Sequence, residues 1–433
     1  MATKVSFHPE HELDEALALI HDDAGIGPVD LGGREPAWPD FPRAEHATRY
    51  GRLAALLDAY DLDALVLTQE ETVRYLSGYV SVIWAVGRWL PTCMVATRDP
   101  RDAVLIPSAF DVGAAEGTSW VGTVDGHPDP MAIPDKVVGH LRRLGLRPDR
   151  VGMETGPGAF VALPWPAATA LVAALGGAPV DATRLISVLR MVKSDAELAR
   201  IRRTVRATTR GYRAALDAAK AGMTERELVA IAASTMYADG ITTGTKPAFL
   251  NCVSGRDRYP LVDTTASDRP LAAGDVVFLD GGGAGDGYMS DIIRLVAVGA
   301  VSAEVERHVE TARSALTAVV GRVRPGARAS ALFAAGQAVF DEAGVGTAGG
   351  GLSGHGIGMD LWERPFVRDH TGDPVEDVAL RPGMTLSLEP ILMPRDDAGL
   401  VGVFVFENQV AVTADGVEVL SGDLETRLWR APA

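Results

Sequence analysis

The sequence predicts an α+β protein of two domains, in which a smaller α/β domain precedes a larger domain with a curved antiparallel sheet backed by helices. Three observations lead to this prediction. A chain of 433 residues is too long for one ordinary hydrophobic core. Helical and strand-like segments alternate between residues 43 and 185, as in an α/β layer. From residue 191 onward, helices, strands, helices and further strands follow in turn, which is the order of an α+β domain. We therefore expect an N-terminal arm at 1–42, a first domain at 43–190 and a second domain at 191–433.

The arm and the first domain contain short elements that can be assigned in order. The arm begins with a helix-like piece, HELDEALALIHDD, and continues through a Gly/Pro-rich stretch that ends in REPAWPDFP. We expect it to pack on the surface or on a partner subunit. In the first domain, RYGRLAALLDAY and PWPAATALVAALG have helical spacing, whereas DALVLT, TCMVAT and AVLIP are strand-like. A mixed or largely parallel sheet is predicted.

The second domain opens with two long helices. Ser194 and Glu197 stand at the spacing of a capping box, and Gly222 followed by Thr224 marks the end of one helix and the start of the next. The arginine-rich stretch 202–210 is interpreted as a solvated helix face rather than an anion site. Strands that carry acidic residues follow, interrupted by helices at about 303–322 and 328–342.

The composition argues against several classes of function. There are 41 basic and 57 acidic residues, and the net charge of −16 argues against nucleic acid and anionic membranes as partners. No apolar run approaches the roughly 18 residues of a membrane helix. The start MATKVSFHPEHE lacks the apolar segment of a signal peptide, so the expected location is the cytoplasm. Cys93 and Cys252 are too few for a disulfide framework and are interpreted as buried free thiols.

Two aspartates lie on either side of a predicted β-hairpin, VVFLDGGGAGDGYMSDIIRLVAV. Apolar, β-branched runs flank a glycine-rich turn, which we centre between Gly285 and Asp286. A hairpin closed symmetrically about that point places Asp280 directly opposite Asp291, with Cβ atoms about 5 Å apart. Because like charges in that arrangement destabilise a sheet, we expect a cation to offset them.

A second hairpin and a glycine-rich loop add three more candidate ligands. Strand-like runs on either side of the turn at 395–399 bring Glu389 opposite Glu407. His355 lies in GGGLSGHGIGMD, where glycines allow the backbone to approach a crowded site. Singly, each residue has an ordinary explanation in turn chemistry or a structural hydrogen bond. Together, four carboxylates and one histidine suit Mn, Fe(II), Co or Zn better than Mg. Two such ions bridged by acids would hold a water and supply a hydroxide nucleophile.

This set, in this order and at these intervals, resembles the pita-bread-fold metallohydrolases of the creatinase, prolidase and methionine aminopeptidase superfamily. The resemblance spans about residues 43–420 and rests on RLAALLDAYDLDALVLTQEETVRYLSGY, RMVKSDAELARIRRT, LDGGGAGDGYMSDIIRLVAVG, GHGIGMDLWERP, and SLEP followed by FENQVAVTADGVEVL. It implies a pita-bread catalytic domain after a smaller creatinase-type α/β domain, and a homodimer. It also implies that Glu389 passes a proton to the leaving amine. The implied ligands of two divalent ions are Asp280, Asp291, His355, Glu389 and Glu407.

Three positions depart from the family pattern. Where peptidases of this family usually carry substrate-contacting histidines, the sequence has Asp263 and Trp362, although the adjacent Glu363 matches. Val405 replaces an arginine that many prolidase-like members have. An acid and an aromatic face at those places favour a cationic or N–H-rich group over a substrate carbonyl. The alternative is that Trp362 is ordinary packing and Asp263 an exposed loop acid.

The first-domain segment SVIWAVGRWLP places Trp84, Arg88 and Trp89 close together. By the resemblance, the N-terminal domain of one subunit reaches the active site of its partner, so these residues are candidates for a substrate lid. The competing interpretation is an aromatic core of the small domain.

The leading hypothesis is a metal-dependent hydrolase that cleaves a C–N bond in a small amino-containing or zwitterionic, non-peptide compound. Glu389 and Asp263 are its candidate catalytic groups, and Asp263, Trp362 and Glu363 its candidate substrate contacts. One alternative is an Xaa-Pro dipeptidase or aminopeptidase. A second is a lyase resembling dimethylsulfoniopropionate lyase, in which Asp360 or another acid removes a proton. A third is a non-catalytic binding module of the same fold.

Overall fold

The structure, a computed structural model, describes residues 12–22, 25–87, 89–242, 246–345 and 351–433. The chain divides into two compact units, Met1–Arg190 and Met191–Ala433. Each unit combines helices with sheets, which confirms the predicted two-domain α+β architecture. No helix within these ranges is long and apolar enough to cross a membrane.

The first unit is built on a six-stranded mixed sheet. Its helices are α1 Glu12–Asp22, α2 Arg43–Ala59, α3 Glu70–Ser77, α4 Ile83–Val86, α5 Val112–Thr118, α6 Ile133–Arg143, α7 Trp165–Ala174 and α8 Thr183–Met191. Its strands are β1 Ala64–Leu67, β2 Cys93–Thr97, β3 Val104–Ile106, β4 Thr123–Val124, β5 Val151–Met153 and β6 Val180–Asp181. The strand order is β4-β3-β2-β1-β5-β6. Strand β2 is antiparallel to both of its neighbours, and the other pairs are parallel, so the predicted mixed sheet is confirmed.

Apolar side chains at regular spacing explain how this unit packs. Every side chain of β1 is buried, as expected for a central strand covered on both faces. Val66 and Val95 of the sheet share a core cluster with Val137 of α6 and Leu171 of α7. The helices therefore cover a continuous apolar face of the sheet.

Helix α1 lies in the segment predicted to be an N-terminal arm. Leu13, Leu17 and Ile20 recur at helical spacing and are at most 2% exposed. α1 packs against α2, so the first unit itself covers this apolar face. Burial of α1 does not require a partner subunit.

The second unit contains four helices and two main sheets within the described ranges. Its helices are α9 Asp195–Ala218, α10 Glu225–Ala238, α11 Ala303–Val320 and α12 Ala329–Glu342. Its strands are β7 Phe249–Ser254, β8 Val276–Gly282, β9 Ala284–Gly285, β10 Tyr288–Met289, β11 Ile292–Val298, β12 Leu352–Gly356, β13 Glu363–Arg368, β14 Thr385–Leu388, β15 Arg395–Asp396, β16 Gly399–Leu400, β17 Asn408–Val412, β18 Val417–Val419 and β19 Trp429–Ala431. The main sheets have the orders β19-β11-β8-β7 and β13-β12-β14-β17-β18. All of their pairs are antiparallel except β11 with β19.

Local signals in the sequence explain where α9 and α10 begin. Both start with a complete capping box, Ser194 with Glu197 and Thr224 with Glu227, as the spacing predicts. The arginines of α9 pair with surface acids; Arg202, for example, lies 2.6 Å from a carboxylate oxygen of Glu418. The interpretation of the arginine-rich stretch as a solvated helix face is confirmed.

Candidate metal centre

The hairpin that carries Asp280 and Asp291 closes one residue later than the sequence analysis places it. Asp286 and Gly287 both have positive φ, 51° and 85°, as the central residues of a type I′ turn require. As a result, β8 and β11 pair with Ile293 opposite Asp280. The prediction that the two aspartates are directly opposed is therefore wrong, and they are diagonal neighbours. Because side chains alternate with a period of two, an offset of two residues keeps both carboxylates on the same face.

The second predicted hairpin has the register that the sequence analysis expects. β14 and β17 pair up to Leu388 opposite Asn408. Continued by one residue, this register places Glu389 opposite Glu407. On its other side β14 pairs with β12, the strand that carries His355. Three adjacent strands therefore bring these three side chains to one end of the sheet.

Asp291, His355 and Glu407 meet in the interior of the second unit. Each offers one ligand atom, and these atoms lie within 4.8 Å of one another. All three side chains are buried, and Nε2 of His355 lies 3.8 Å from Asp291 and 3.7 Å from Glu389. Within the described part of the chain, Oδ1 of Asp291, Nε2 of His355 and both carboxylate oxygens of Glu407 are buried without a hydrogen-bond partner. Such atoms are strongly destabilising unless something binds them, and a cation between them would satisfy all four.

His355 presents an unprotonated nitrogen to this cluster. Its Nδ1 lies 2.9 Å from the carbonyl oxygen of Gly356. A carbonyl only accepts hydrogen bonds, so Nδ1 carries the hydrogen and Nε2 keeps its lone pair. Burial lowers the pKa of His355 to about 4, so the ring is neutral at neutral pH. A neutral imidazole oriented by a carbonyl on its other nitrogen is the usual form of a metal-binding histidine.

Burial, followed by repulsion from neighbouring acids, raises the pKa of all four carboxylates. The pKa of Asp280 rises to about 7 through burial and then through Asp263. The pKa of Glu389 rises to about 8 through burial and then through Asp280 and Asp263. Asp291 and Glu407 have pKa values raised well above the ordinary range by burial and by neighbouring carboxylates. These groups are ionised together at neutral pH only if positive charge lies among them.

This donor set fits divalent metal ions. Four carboxylates and one imidazole form an oxygen-rich set with a single nitrogen and no thiolate, which suits Mn, Fe(II), Co or Zn. Three ligand atoms already converge within 4.8 Å, and Glu389 lies 3.7 Å from one of them. The charge of Asp280 contributes to the raised pKa of Asp291.

Two buried residues that the sequence analysis did not single out hold these strands in place. The hydroxyl of Tyr212, on α9, lies 3.0 Å from the carbonyl of Gly281 and 2.6 Å from the carbonyl of Ile292, next to the two aspartates. Arg294 donates to the backbone carbonyl of Glu407 at 2.6 Å. The sequence could have indicated the role of Arg294, because a charged residue inside an apolar strand needs acceptors around it. It could not have indicated the role of Tyr212, since a tyrosine on a helix usually belongs to the core.

Trp362 and Asp263 are exposed, and Trp362 lies against one of the candidate ligands. Trp362 is 57% exposed, and its ring stacks on His355 with centroids 5.2 Å apart and planes at 25°. It is therefore not ordinary core packing. Asp263 is also exposed, yet its charge contributes to the raised pKa of Asp280 and of Glu389. Asp263 is thus an exposed acid in a turn, as the alternative interpretation expects.

The other substrate and catalytic candidates of the second unit have protein partners. The carboxylate of Glu363 accepts from Nζ of the buried Lys193 at 3.0 Å and from the backbone N–H of Asp360 at 3.0 Å. These contacts favour a structural role for Glu363 over contact with substrate. Asp360 forms an ion pair with Lys246 at 3.3 Å. Val405 is 1% exposed and belongs to the core.

The aromatic residues predicted as a lid lie in the first unit. Trp84 packs against Tyr79, with ring centroids 5.4 Å apart, and lines a cavity of about 550 Å³. Trp89 is 77% exposed, so the core interpretation does not apply to it. Arg88 lies outside the described residues.

Comparison with known proteins adds independent evidence. Residues 199–414 match the model of metallopeptidase family M24, and residues 49–192 match that of the creatinase/prolidase N-terminal domain. The "Probable dipeptidase PepE" of Mycobacterium tuberculosis (strain ATCC 25618 / H37Rv) is 31% identical over 383 residues, which cover 86% of this chain and 91% of that protein. An Xaa-Pro dipeptidase of Pyrococcus horikoshii is 28% identical over 238 residues, 55% of this chain and 64% of its own length. The crystal structure of dipeptidase PepE from Mycobacterium ulcerans has a TM-score of 0.76 at 25% identity, covering 91% of this chain and 100% of that one.

Proposed function

Because the chain belongs to metallopeptidase family M24 and is a metal-dependent hydrolase, we propose that it is a dipeptidase that hydrolyses the amide bond of short peptides. The observation that carries this proposal is the convergence of Asp291, His355 and Glu407. A non-peptide substrate, the leading hypothesis from the sequence, becomes the second candidate because the similar proteins are named as dipeptidases. Membership of a peptidase family also favours hydrolysis over the elimination and non-catalytic alternatives.

The five candidate ligands have distinct roles in this proposal. Asp280, Asp291, His355, Glu389 and Glu407 would hold two divalent ions, with Mn, Fe, Co and Zn as the candidates. When bound, such ions supply a nucleophilic water at neutral pH and polarise the scissile carbonyl. The side chain of Glu389 is 14% exposed, whereas that of His355 is fully buried, so Glu389 is the better placed of the two to meet a substrate. We assign to it the transfer of a proton to the leaving amine.

The test combines metal analysis with a peptide screen. The purified protein, loaded separately with each of the four metals, is incubated with Ala-Ala, Ala-Pro, Gly-Pro and a proline-containing tripeptide. We expect the protein to hydrolyse at least one dipeptide. This activity should be lost on chelation and regained when the metal is returned. A protein that binds metal stoichiometrically but leaves every peptide intact would overturn the dipeptidase assignment.

A second candidate is hydrolysis of a C–N bond in a small amino-containing or zwitterionic compound that is not a peptide. Asp263 and Trp362 favour it, because a carboxylate and an open aromatic face beside the centre suit a cationic group. A parallel screen of small cationic zwitterions separates the two candidates. If such a compound is hydrolysed and no dipeptide is, hydrolysis of a non-peptide compound becomes the favoured function.

We further propose that the protein is a cytoplasmic homodimer. The exposed ring of Trp89 supports an interface on the first unit. In this arrangement Trp84, Arg88 and Trp89 of one subunit would contribute to the substrate pocket of the other.

A further inference from the structure

The candidate ligands come from two different sheets, so their geometry depends on how these sheets are joined at the centre. His355 lies on β12 of the five-stranded sheet, whereas Asp280 lies on β8 of the four-stranded sheet. Asp291 lies between β10 and β11, just before the pairing of β11 with β8 begins at Ile292. The backbone N–H and carbonyl of Asp291 are buried polar groups that need hydrogen-bond partners.

Two side chains of the five-stranded sheet supply both partners. The side-chain oxygen of Gln409 accepts from the backbone N–H of Asp291 at 3.3 Å, and the hydroxyl of Ser387 donates to the carbonyl of Asp291 at 3.1 Å. The amide nitrogen of Gln409 also donates to the carbonyl of Met289 at 3.3 Å. Because a carbonyl only accepts, this last bond fixes the orientation of the amide and directs its oxygen toward Asp291. Asp291 is therefore held at both of its backbone polar groups.

The two side chains share a face of the sheet with three candidate ligands. Ser387 pairs with His355 on one side and with Gln409 on the other, so the three residues form one row across the sheet. Because side chains alternate with a period of two, Ser387 lies on the same face as Glu389, and Gln409 on the same face as Glu407. One face therefore presents three candidate ligands together with the two groups that hold the backbone of a fourth.

Burial of these polar side chains is explained by the bonds that they form. Ser387 and Gln409 are both 0% exposed, and burial of a hydroxyl or an amide costs free energy unless its hydrogen bonds are satisfied. With its backbone held, the carboxylate of Asp291 has only its own side-chain torsions left to vary. Its Oδ2 lies 3.8 Å from Nε2 of His355. A ligand that is already in place does not have to be ordered when the metal binds.

We propose that Ser387 and Gln409 are positioning residues of the metal centre, which hold Asp291 in its ligand position before a metal binds. This inference rests on the proposed metal-dependent function and adds the residues that set the geometry between the two sheets. Neither side chain binds the metal or touches the reacting atoms. Each is expected to contribute about tenfold to metal affinity, as other groups that orient a ligand do.

Cobalt(II) binding tests this role without turnover, because cobalt is a candidate metal and its visible absorption allows the titration to be followed. Ser387→Ala and Gln409→Met each remove hydrogen bonds to the segment 289–291 and keep most of the side-chain volume. We expect each variant to bind cobalt about tenfold more weakly than the unmodified protein. Ser119→Ala is the matched control, since Ser119 of the first unit is also a fully buried serine whose hydroxyl donates to a backbone carbonyl, that of Ser77, at 2.7 Å. Its unfolding free energy should fall by a comparable amount while its cobalt affinity stays unchanged.

Hydrogen exchange in the unmodified protein gives a second measurement that does not require any variant to fold. In the chelator-treated protein, the backbone N–H of Asp291 should exchange slowly, because Gln409 holds it without metal. Rapid exchange of this N–H overturns the proposal. So does an unchanged cobalt affinity in either Ser387→Ala or Gln409→Met, or an equal loss of affinity in Ser119→Ala.

The outcomes also separate this role from the proposed function. If the two variants bind cobalt more weakly in a protein that hydrolyses no peptide, the positioning role is supported and the dipeptidase assignment is refuted. If the unmodified protein binds no cobalt, the metal centre itself is refuted, and the positioning role with it.

Discussion

Four buried or half-buried carboxylates around one histidine make the metal-free protein sensitive to pH. The pKa of Asp280 and of Glu389 in the folded chain, about 7 and about 8, lies above the ordinary range of about 4. A raised carboxylate pKa means that folding favours the protonated form. Stability is therefore lost as the pH rises through this window, at about 1.4 kcal/mol per pKa unit for each group. We expect the melting temperature of the chelator-treated protein to fall between pH 5 and pH 9.

Return of the metal is the control for this prediction. Bound cations stabilise the ionised carboxylates, so the metal-loaded protein should lose much less stability over the same range. If the melting temperature of the metal-free protein stays constant or rises toward pH 9, the carboxylates of the centre do not have the raised pKa values described above.

Asp291→Asn should remove metal while leaving the fold intact. The amide has nearly the same shape but brings no negative charge, so we expect the metal content to drop. Activity should fall by more than the roughly 10- to 100-fold typical of residues that only support a ligand. The metal-free variant should also be more stable than the metal-free parent at pH 9, because one of four repelling charges is gone. Asp286→Asn is the matched control, since this exposed aspartate lies at the turn of the same hairpin and asparagine tolerates its positive φ. Retention of full metal content by Asp291→Asn would exclude it as a ligand.

At the scale of elements, the sequence predicted the strands that carry the candidate ligands. It predicted the strand pairing correctly for only one of the two hairpins. The register of β14 with β17 agrees with the prediction that Glu389 faces Glu407. The first hairpin differs because its turn contains several glycines, each of which permits positive φ. Asp286 and Gly287 form the turn in the structure, and the pairing moves accordingly. Because side chains alternate between the two faces of a sheet, this error in register still leaves Asp280 and Asp291 on the same face. The prediction that the two acids lie close together therefore did not depend on the exact register.

Contacts between distant segments were beyond the reach of the sequence patterns. Lys193 lies 170 positions from Glu363, and their ion pair follows from tertiary packing that no local periodicity encodes. The same applies to the contacts of Tyr212 with the hairpin and to the stacking of Trp362 on His355. Helix starts, by contrast, depend on neighbouring residues, and the capping box of α9 and the start of α10 at Thr224 were predicted correctly.

Removal of one hydroxyl should show that α9 positions the hairpin that carries Asp280 and Asp291. Tyr212→Phe leaves the carbonyls of Gly281 and Ile292 without their shared partner, at a cost of roughly 1 to 3 kcal/mol of unfolding free energy. We also expect metal affinity to weaken by about tenfold, as for other residues that orient ligands. Tyr259→Phe is the matched control, because Tyr259 is also buried and donates to the other end of β8, at Val276, 2.8 Å away. It should lose comparable stability without a change in metal affinity. Equal effects of the two variants on metal affinity would show that Tyr212 has no specific positioning role.

At the scale of the whole molecule, the described exposed aromatic residues are concentrated in the first unit. Trp89, Phe160 and Trp165 are 77%, 62% and 78% exposed. The net charge of −16 keeps copies of the chain apart in general, so association would depend on a specific apolar patch. This combination supports the proposed homodimer more than unspecific aggregation.

A subunit-mixing experiment tests whether the first unit of one copy completes the site of another. His355→Ala disables the metal centre, and Trp89→Ser disables the proposed lid, so each homodimer should have low dipeptidase activity. After dissociation and reassociation of an equal mixture, about half of the dimers are mixed, and each contains one site in which an intact centre meets an intact partner segment. We therefore expect recovery of about a quarter of the activity of the unmodified protein. A mixture of His355→Ala with Asp291→Asn is the control and should recover nothing, because every centre in it is defective. If mixing with Trp89→Ser restores no activity although light scattering shows dimers, Trp89 does not act on the site of a partner, and the dimer has a role other than completing the catalytic centre.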